Sequence, residues 1–260
     1  MKRSLRTVAV TRYVTPLREG GSVPAIVEAD DDGMYVLKFR GAGQGARALV
    51  AELVCGEIGR VLGLPVPEIV FAELDHDLSR TEPDHEISGL IRRSAGLNLA
   101  LDYLPGSVMY DPLVMRLDDD LTSRIVWFDA YISNVDRTAR NPNMLIWHRK
   151  LWLIDHGAAL YFHHADGWET DIAKPRDAFA LIKQHLLLHK ARSLRNIDDT
   201  MAGMLTPDTL QKVVDLIPGG WLAADEAAEQ VATLRRAYHH YLTQRLVAPR
   251  AFIDEALRVR

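Results

Sequence analysis

Residues 134–157 read NVDRTARNPNMLIWHRKLWLIDHG, and the fold turns on how this stretch is understood. NMLI and LWLI are two short apolar runs joined by WHRK, the pattern of a β-hairpin. Asp136, Asn141 and Asn143 precede the first run, and Asp155 follows the second. A hairpin brings its open ends together, so two carboxylates and two carboxamides would converge at one spot. Oxygen donors of that kind suit a hard cation such as Mg2+, which usually binds through one or two carboxylates plus substrate phosphates. One aspartate can then position a hydroxyl nucleophile while the other holds the metal. Taken singly, each Asp or Asn reads as a turn cap. The set, ending in Asp-His-Gly after an apolar strand, reads as a site.

Upstream of the hairpin the chain is first β-rich and then helical. VAVTRYV, SVPAIVEA and GMYVLKF have strand content, with ADDDG as a tight turn between the last two. GAGQGA at 41–46 breaks that pattern. Leu49, Val50, Leu53, Val54, Ile58, Val61 and Leu62 then recur at helical spacing, and Gly63 offers a stop. PVPEIVFAEL reads as another strand, and 76–86 as a polar loop. ISGLIRR and LNLALDYL read as strands, or as a strand leading into a connector. LTSRIVWFDAYIS (121–133) is an amphipathic helix directly before the hairpin, with Trp127, Phe128 and Tyr131 as candidate core. Helical patterns also cover KPRDAFALIKQHLLLHKARSL, TPDTLQKVVDLI and ADEAAEQVATLRRAYHHYLTQRL. Thr206 followed by Pro207 is an N-cap with proline in the first helical position.

Bulk properties narrow the function classes. The 260 residues are 48% hydrophobic and 25% charged, ordinary for one large domain or two lobes sharing a cleft. A net charge of −4 gives no overall positive field for nucleic acid or an anionic membrane. Cys55 is the sole cysteine, which fits a reducing compartment. The basic start meets Thr11 and Arg12 before a signal core develops, and no run approaches the roughly 18 apolar residues of a membrane helix. The expectation is a soluble cytoplasmic protein with no direct contact to nucleic acid or membrane. The His163–His164 and His185/His189 pairs have no carboxylate or cysteine at a metal-binding spacing, so they are read as structural.

Asp136-x-x-x-x-Asn141, a hairpin and Asp155-His156-Gly157 resemble the catalytic loop and metal motif of the protein-kinase-like superfamily. The full pattern NVDRTARNPNML…LWLIDHG is most similar to HipA-like kinases. EGGSVPAIVEADDDGMYVLKF resembles that family's glycine-containing loop and lysine-bearing strand, ELVCGEIGRVLGLPVPE its following helix, and ALDYLPG its connector between lobes. The likeness runs over about residues 15 to 160, and the helical remainder carries no matching motif. Asn134 stands where typical protein kinases carry histidine, and DHG replaces DFG.

The resemblance implies an α+β, two-lobed protein-kinase-like fold, with a small β-rich N-lobe over 1–106 and a larger helical C-lobe over 107–260. It implies ATP and Mg2+ in the cleft between them. Asp136 would accept the proton of the acceptor hydroxyl, and Asp155 with Asn141 or Asn143 would hold the metal. Lys38 would brace the phosphates against a helix glutamate. Glu52 fits that partner better than Glu57, which is five residues on and off its helix face. Gly20, Gly21 and Ser22 would cover the phosphates, since glycine lets backbone N–H groups approach an anion. Asp102, Tyr103 and Leu104 of the connector would meet the nucleotide. Relatives of this type can phosphorylate their own loop serine, which here is Ser22. A Ser/Thr hydroxyl of a protein is the implied acceptor. Aminoglycoside- or choline-type small-molecule kinases are the nearest rivals, and a non-catalytic ATP-binding module is a further one. The chain is expected to lack the extra N-terminal subdomain of larger HipA proteins, so an antitoxin-like partner has no support in the sequence.

Overall fold

Short apolar and alternating runs build strands around two helices in the first hundred residues. In the computed structural model, which describes residues 5–17, 23–43, 45–80, 82–171, 173–223, 225 and 227–260, β1 spans Thr7–Pro16, β2 Ala25–Ala29, β3 Met34–Lys38, β4 Ile69–Leu74 and β5 Gly96–Asp102. Gly20, Gly21 and Ser22 lie outside the described residues. The strands close into a barrel in the order β1-β2-β3-β5-β4. Closure depends on β1. Its first residues pair parallel to β4, from Thr7–Phe71 to Ala9–Glu73. From Val10–Ala29 its remainder pairs antiparallel to β2, with two register shifts on the way to Pro16–Ala25. Each shift bends the strand and sharpens its twist, so one strand serves both neighbours.

Helix α1, Ala46–Val61, is buried on nearly every side from Leu49 to Gly59. It touches the barrel and the helical half at once. A Cβ at Gly56 would stand 2.4 Å from Ile69 Cδ1, so a larger residue there would push the Ile69 side chain aside. The expected stop is present: Leu64 N–H reaches Gly59 O at 2.9 Å and Gly63 N–H reaches Arg60 O at 3.1 Å, with Gly63 at φ +69°. That is a Schellman cap.

ISGLIRR is not a strand. It belongs to α2, His85–Arg93, whose N-cap Asp84 accepts from Glu86 N–H and Ile87 N–H at 2.9 and 3.3 Å. Ile87, Leu90 and Ile91 sit at i, i+3 and i+4 and join the barrel core with Val8, Val27, Leu37 and Ala100. The isoleucines suggest a strand, but the cap and the i, i+3 spacing decide.

The helical half opens with β6, Val108–Met109, and α3, Asp119–Tyr131, capped by Asp118. Trp127, Phe128 and Tyr131 are fully buried, as expected. The hairpin forms from β7, Met144–Trp147, and β8, Lys150–Leu153, in register Met144–Leu153 to Trp147–Lys150. His148 and Arg149 make its two-residue loop, both at positive φ, the pattern of an I′ turn. Ile154 N–H to Asn143 O at 3.0 Å ties the open end shut.

Beyond the hairpin, residues 174–194 are not the helix that their apolar spacing suggests. They form 3-10 turns at Lys174–Arg176, Ala180–Gln184 and Leu188–Lys190. Pro175 interrupts the start, and the backbone spends its groups on distant partners: Leu186 N–H on Arg137 O, and Pro175 O and Asp177 O on Arg245. Helices α4 (Leu194–Met204), α5 (Pro207–Val214), α6 (Gly219–Leu222), α7 (Ala228–Arg245) and α8 (Ala251–Val259) follow. Thr206 caps α5 through Thr209 N–H at 3.2 Å. α7 starts at Ala228, later than its pattern suggests. Among the described residues no helix is long and apolar enough to cross a membrane.

Candidate active site

Four elements meet between the barrel and the helical half: the end of β3, the middle of α1, the loop from α3 into β7, and the residues after β8. Lys38 ends β3, and its Nζ lies 2.7 Å from Asp155 Oδ1 and 3.5 Å from Glu52 Oε2. Glu57 turns away to Arg60 at 2.8 Å, so Glu52 is the partner on α1. Glu52 is also bound by the residue after Asp155: His156 donates its N–H to Oε2 at 3.0 Å, and its Nδ1 stands 3.4 Å from Oε1. α1 is thereby tied to both the lysine strand and the Asp-His-Gly turn.

The hairpin's open ends hold the other polar groups. Asn141 and Asn143 donate from Nδ2 to Asp136 Oδ2, at 2.7 and 3.2 Å. The same Nδ2 of Asn143 lies 3.4 Å from Asp155 O. Asn143 is buried and bridges the two aspartates; Asn141 touches only the first. Asn143 and Asp155 both sit at positive φ, 48° and 55°. Such backbone costs on the order of 1–3 kcal/mol for a non-glycine residue and tends to be kept where function needs the side chain's direction.

Electrostatics bind the cluster further. Burial pushes the Lys38 ammonium down, but Glu52 and Asp155 more than offset it and hold it charged, above its ordinary value. Burial likewise pushes the Glu52 carboxyl up, and Lys38 and His156 reverse this to leave it well below its ordinary 4.5. A lowered folded value means that Glu52 contributes stability above pH 4.5 and loses it as the pH falls toward the lowered value. The melting temperature should therefore drop on acidification below pH 4.5, and Glu52→Gln should start lower at pH 7 and fall less steeply. Calorimetry from pH 7 to 3 checks this; parallel curves for the two proteins would remove Glu52 as a source.

Asp102 ends β5, and Tyr103 and Leu104 lead from it into the connector. Tyr103 donates its N–H to Met34 O at 3.0 Å, and Leu104 is buried. Among the described residues neither histidine pair gathers a set of metal ligands. His185 bonds Asp129 and His189 meets Arg260 O at 3.0 Å, so they do not converge. His163 and His164 face each other at 3.1 Å beside Tyr238.

One part of the arrangement was not visible in the sequence. Asp129, fully buried in α3, accepts from Asn134 Nδ2 at 2.9 Å, Arg137 Nε at 2.6 Å and His185 Nε2 at 2.9 Å. A lone Asp inside the apolar run IVWFDAYI, before a polar loop, was the available signal, and it does not say which way the side chain faces.

Comparison with known proteins shows the family and the fold. A family model described as HipA-like kinase matches residues 10–250. No curated protein sequence matches the chain. Among solved structures, the Helicobacter pylori proinflammatory kinase CtkA superposes with a TM-score of 0.57 at 12% identity, covering 98% of this chain and 99% of that one. A Golgi casein kinase with Mn/ADP bound reaches 0.47 at 13% identity, covering 95% of this chain and 74% of its own. At these identities the likeness to CtkA shows the two-lobed kinase fold and nothing finer.

Proposed function

The chain belongs to the HipA-like kinase family, and from that premise we propose that it transfers the γ-phosphoryl group of ATP to a Ser or Thr hydroxyl of a protein. The barrel half, 1–106, would be the N-lobe and 107–260 the C-lobe. One contact supports this above the others: the Asn143 amide, which reaches Asp136 Oδ2 and the Asp155 backbone together while Lys38 grips the Asp155 carboxylate. Two carboxylates serving different tasks stand within one hydrogen-bonded unit.

The donor set suits Mg2+. The Asp155 side chain is 39% exposed, the Asn143 amide lies against its backbone oxygen, and Mg2+ takes few protein oxygens while keeping water and phosphate ligands. Asp155 with Asn143 or Asn141 would hold the ion, which when bound neutralises charge on the phosphates. Lys38, already paired on both sides, would brace the triphosphate. Gly20, Gly21 and Ser22 would cover it, and Asp102 to Leu104 would meet the nucleoside. Asp136 has both its amide bonds on Oδ2, and among the described residues Oδ1 takes none. That oxygen would orient the acceptor hydroxyl and take its proton as the phosphoryl group transfers. Catalysis of this type is mainly positioning and charge stabilisation, so few side chains suffice.

The protein should label itself or an added protein when incubated with Mg2+ and γ-labelled ATP, and phosphopeptide mass spectrometry should find the label on Ser or Thr. The tryptic peptide spanning Ser22 is the first to inspect. There a phosphate of about −1.5 to −2 charge would compete with those of the nucleotide. Label passing only to aminoglycoside or choline acceptors would move the assignment to a small-molecule kinase. A rise in melting temperature with MgATP but no transfer to any acceptor would leave a binding module.

A further inference from the structure

We propose that His185 is a positioning residue for Asp136, acting through the buried Asp129 carboxylate. This rests on the reading of Asp136 as the group that handles the acceptor hydroxyl. Asp129 Oδ1 accepts from Asn134 Nδ2, and Asn134 Oδ1 in turn accepts the Asp136 backbone N–H at 3.1 Å. On its other side, Asp129 Oδ2 accepts from Arg137 Nε, whose Nη1 reaches Asn143 O and lies 3.4 Å from Pro142 O. One carboxylate therefore holds Asp136 from both flanks and fixes the backbone of Asn143 as well.

Such a carboxylate needs its donors. With no solvent around it, Asp129 is pushed up by burial, and Arg137 and His185 bring it well below its ordinary value. Arg137 supplies one full charge. His185 supplies an aimed N–H: its Nδ1 accepts Leu187 N–H at 3.0 Å, which puts the ring proton on Nε2, 2.9 Å from Asp129 Oδ2. A ring nitrogen's tautomer is set by the bond that the other nitrogen makes.

His185 also belongs to a different part of the chain from everything it steadies. It follows the Ala180–Gln184 turn and pairs as an isolated bridge with Thr138, and Leu186 N–H reaches Arg137 O at 3.2 Å. This splice couples the segment after the metal motif to the loop carrying Asp136. A shift of that segment would be felt at Asp136 through His185 and Asp129.

The test separates a positioning role from a merely structural one. His185→Leu should fold with a cooperative melt and keep its rise in melting temperature with MgATP. Its kcat for phosphoryl transfer should fall about 10²-fold, the size of a misplacement near 1 Å, with KM for ATP within about two-fold. His185→Gln keeps an N–H donor near the Nε2 position and should restore most of kcat. If His185→Leu does not fold, Asn134→Ala removes the bridge to Asp136 N–H without touching the Asp129–Arg137 pair, and it should show the same split. Wild-type kcat in folded His185→Leu, or in Asn134→Ala where that variant stands in, overturns the proposal while leaving the kinase reading intact. No rescue by His185→Gln also counts against it. Absence of turnover in the wild type fails the kinase reading, and this proposal with it.

Discussion

Asp136→Ala is expected to lower phosphoryl transfer by about 10²–10⁴-fold, the range for losing a positioned general base, while the rise in melting temperature with MgATP persists. The separation follows from where the contacts fall. Asp136 Oδ2 takes the two amides, whereas Lys38, Glu52 and Asp155 form their own ion-paired unit on the other side of Asn143. Removing the Asp136 carboxylate therefore leaves Lys38, Glu52 and Asp155 paired as they are, while Asn141 and Asn143 each lose one acceptor. Asp136→Asn sharpens the result, since it keeps the size but cannot take a proton. It also sets an amide against two amide donors, so some loosening of Asn141 and Asn143 accompanies the loss. Turnover by single-turnover assay and binding by thermal shift check the pair. Undiminished transfer in Asp136→Ala would assign the hydroxyl to another residue.

Much of this site was legible because its physics is local. The hairpin shows as two apolar runs joined by WHRK, and its geometry alone brings 136, 141, 143 and 155 together. Lys38 and Glu52 are legible through resemblance to a strand and helix whose order matches, and the structure puts them 3.5 Å apart. What stayed hidden depends on partners far away in the chain. A helix with apolar stripes looks the same whether Asp129 faces water or core, and nothing in the sequence announces that His185, 56 residues on, will meet it. Residues 174–194 misled for the same reason: helical spacing of Leu and Ile is present, but the backbone bonds go to Arg137 and Arg245 instead of to one another. Helix α2 is the reverse case. Asp84 sits in the stretch read as a polar loop, and the short apolar run that it caps passes for a strand until the barrel end that it seals is known.

Asp155→Asn should affect both steps that Asp136→Ala separates. Asp155 is the one carboxylate in the cluster that is both well exposed and in contact with Lys38, so its charge is available to a divalent ion as Glu52's, buried between Lys38 and His156, is not. Stabilisation by ligand follows RT ln(1 + [L]/Kd), about 2.7 kcal/mol at a hundred times Kd. If metal recruitment is the basis of nucleotide affinity, that increment should largely vanish in the variant. Transfer should fall at least about 10²–10³-fold, since metal ions stabilise such transition states by several kcal/mol and each 1.36 kcal/mol is ten-fold in rate. Excess EDTA on the wild type should reproduce the loss of the MgATP shift. The fold itself should survive, because Lys38 keeps Glu52 and the Glu52–His156 contacts do not involve the Asp155 carboxylate. An Asp155→Asn protein that still melts higher with MgATP, and loses that gain on EDTA, would move the metal to the Asn141–Asp136 side of the hairpin.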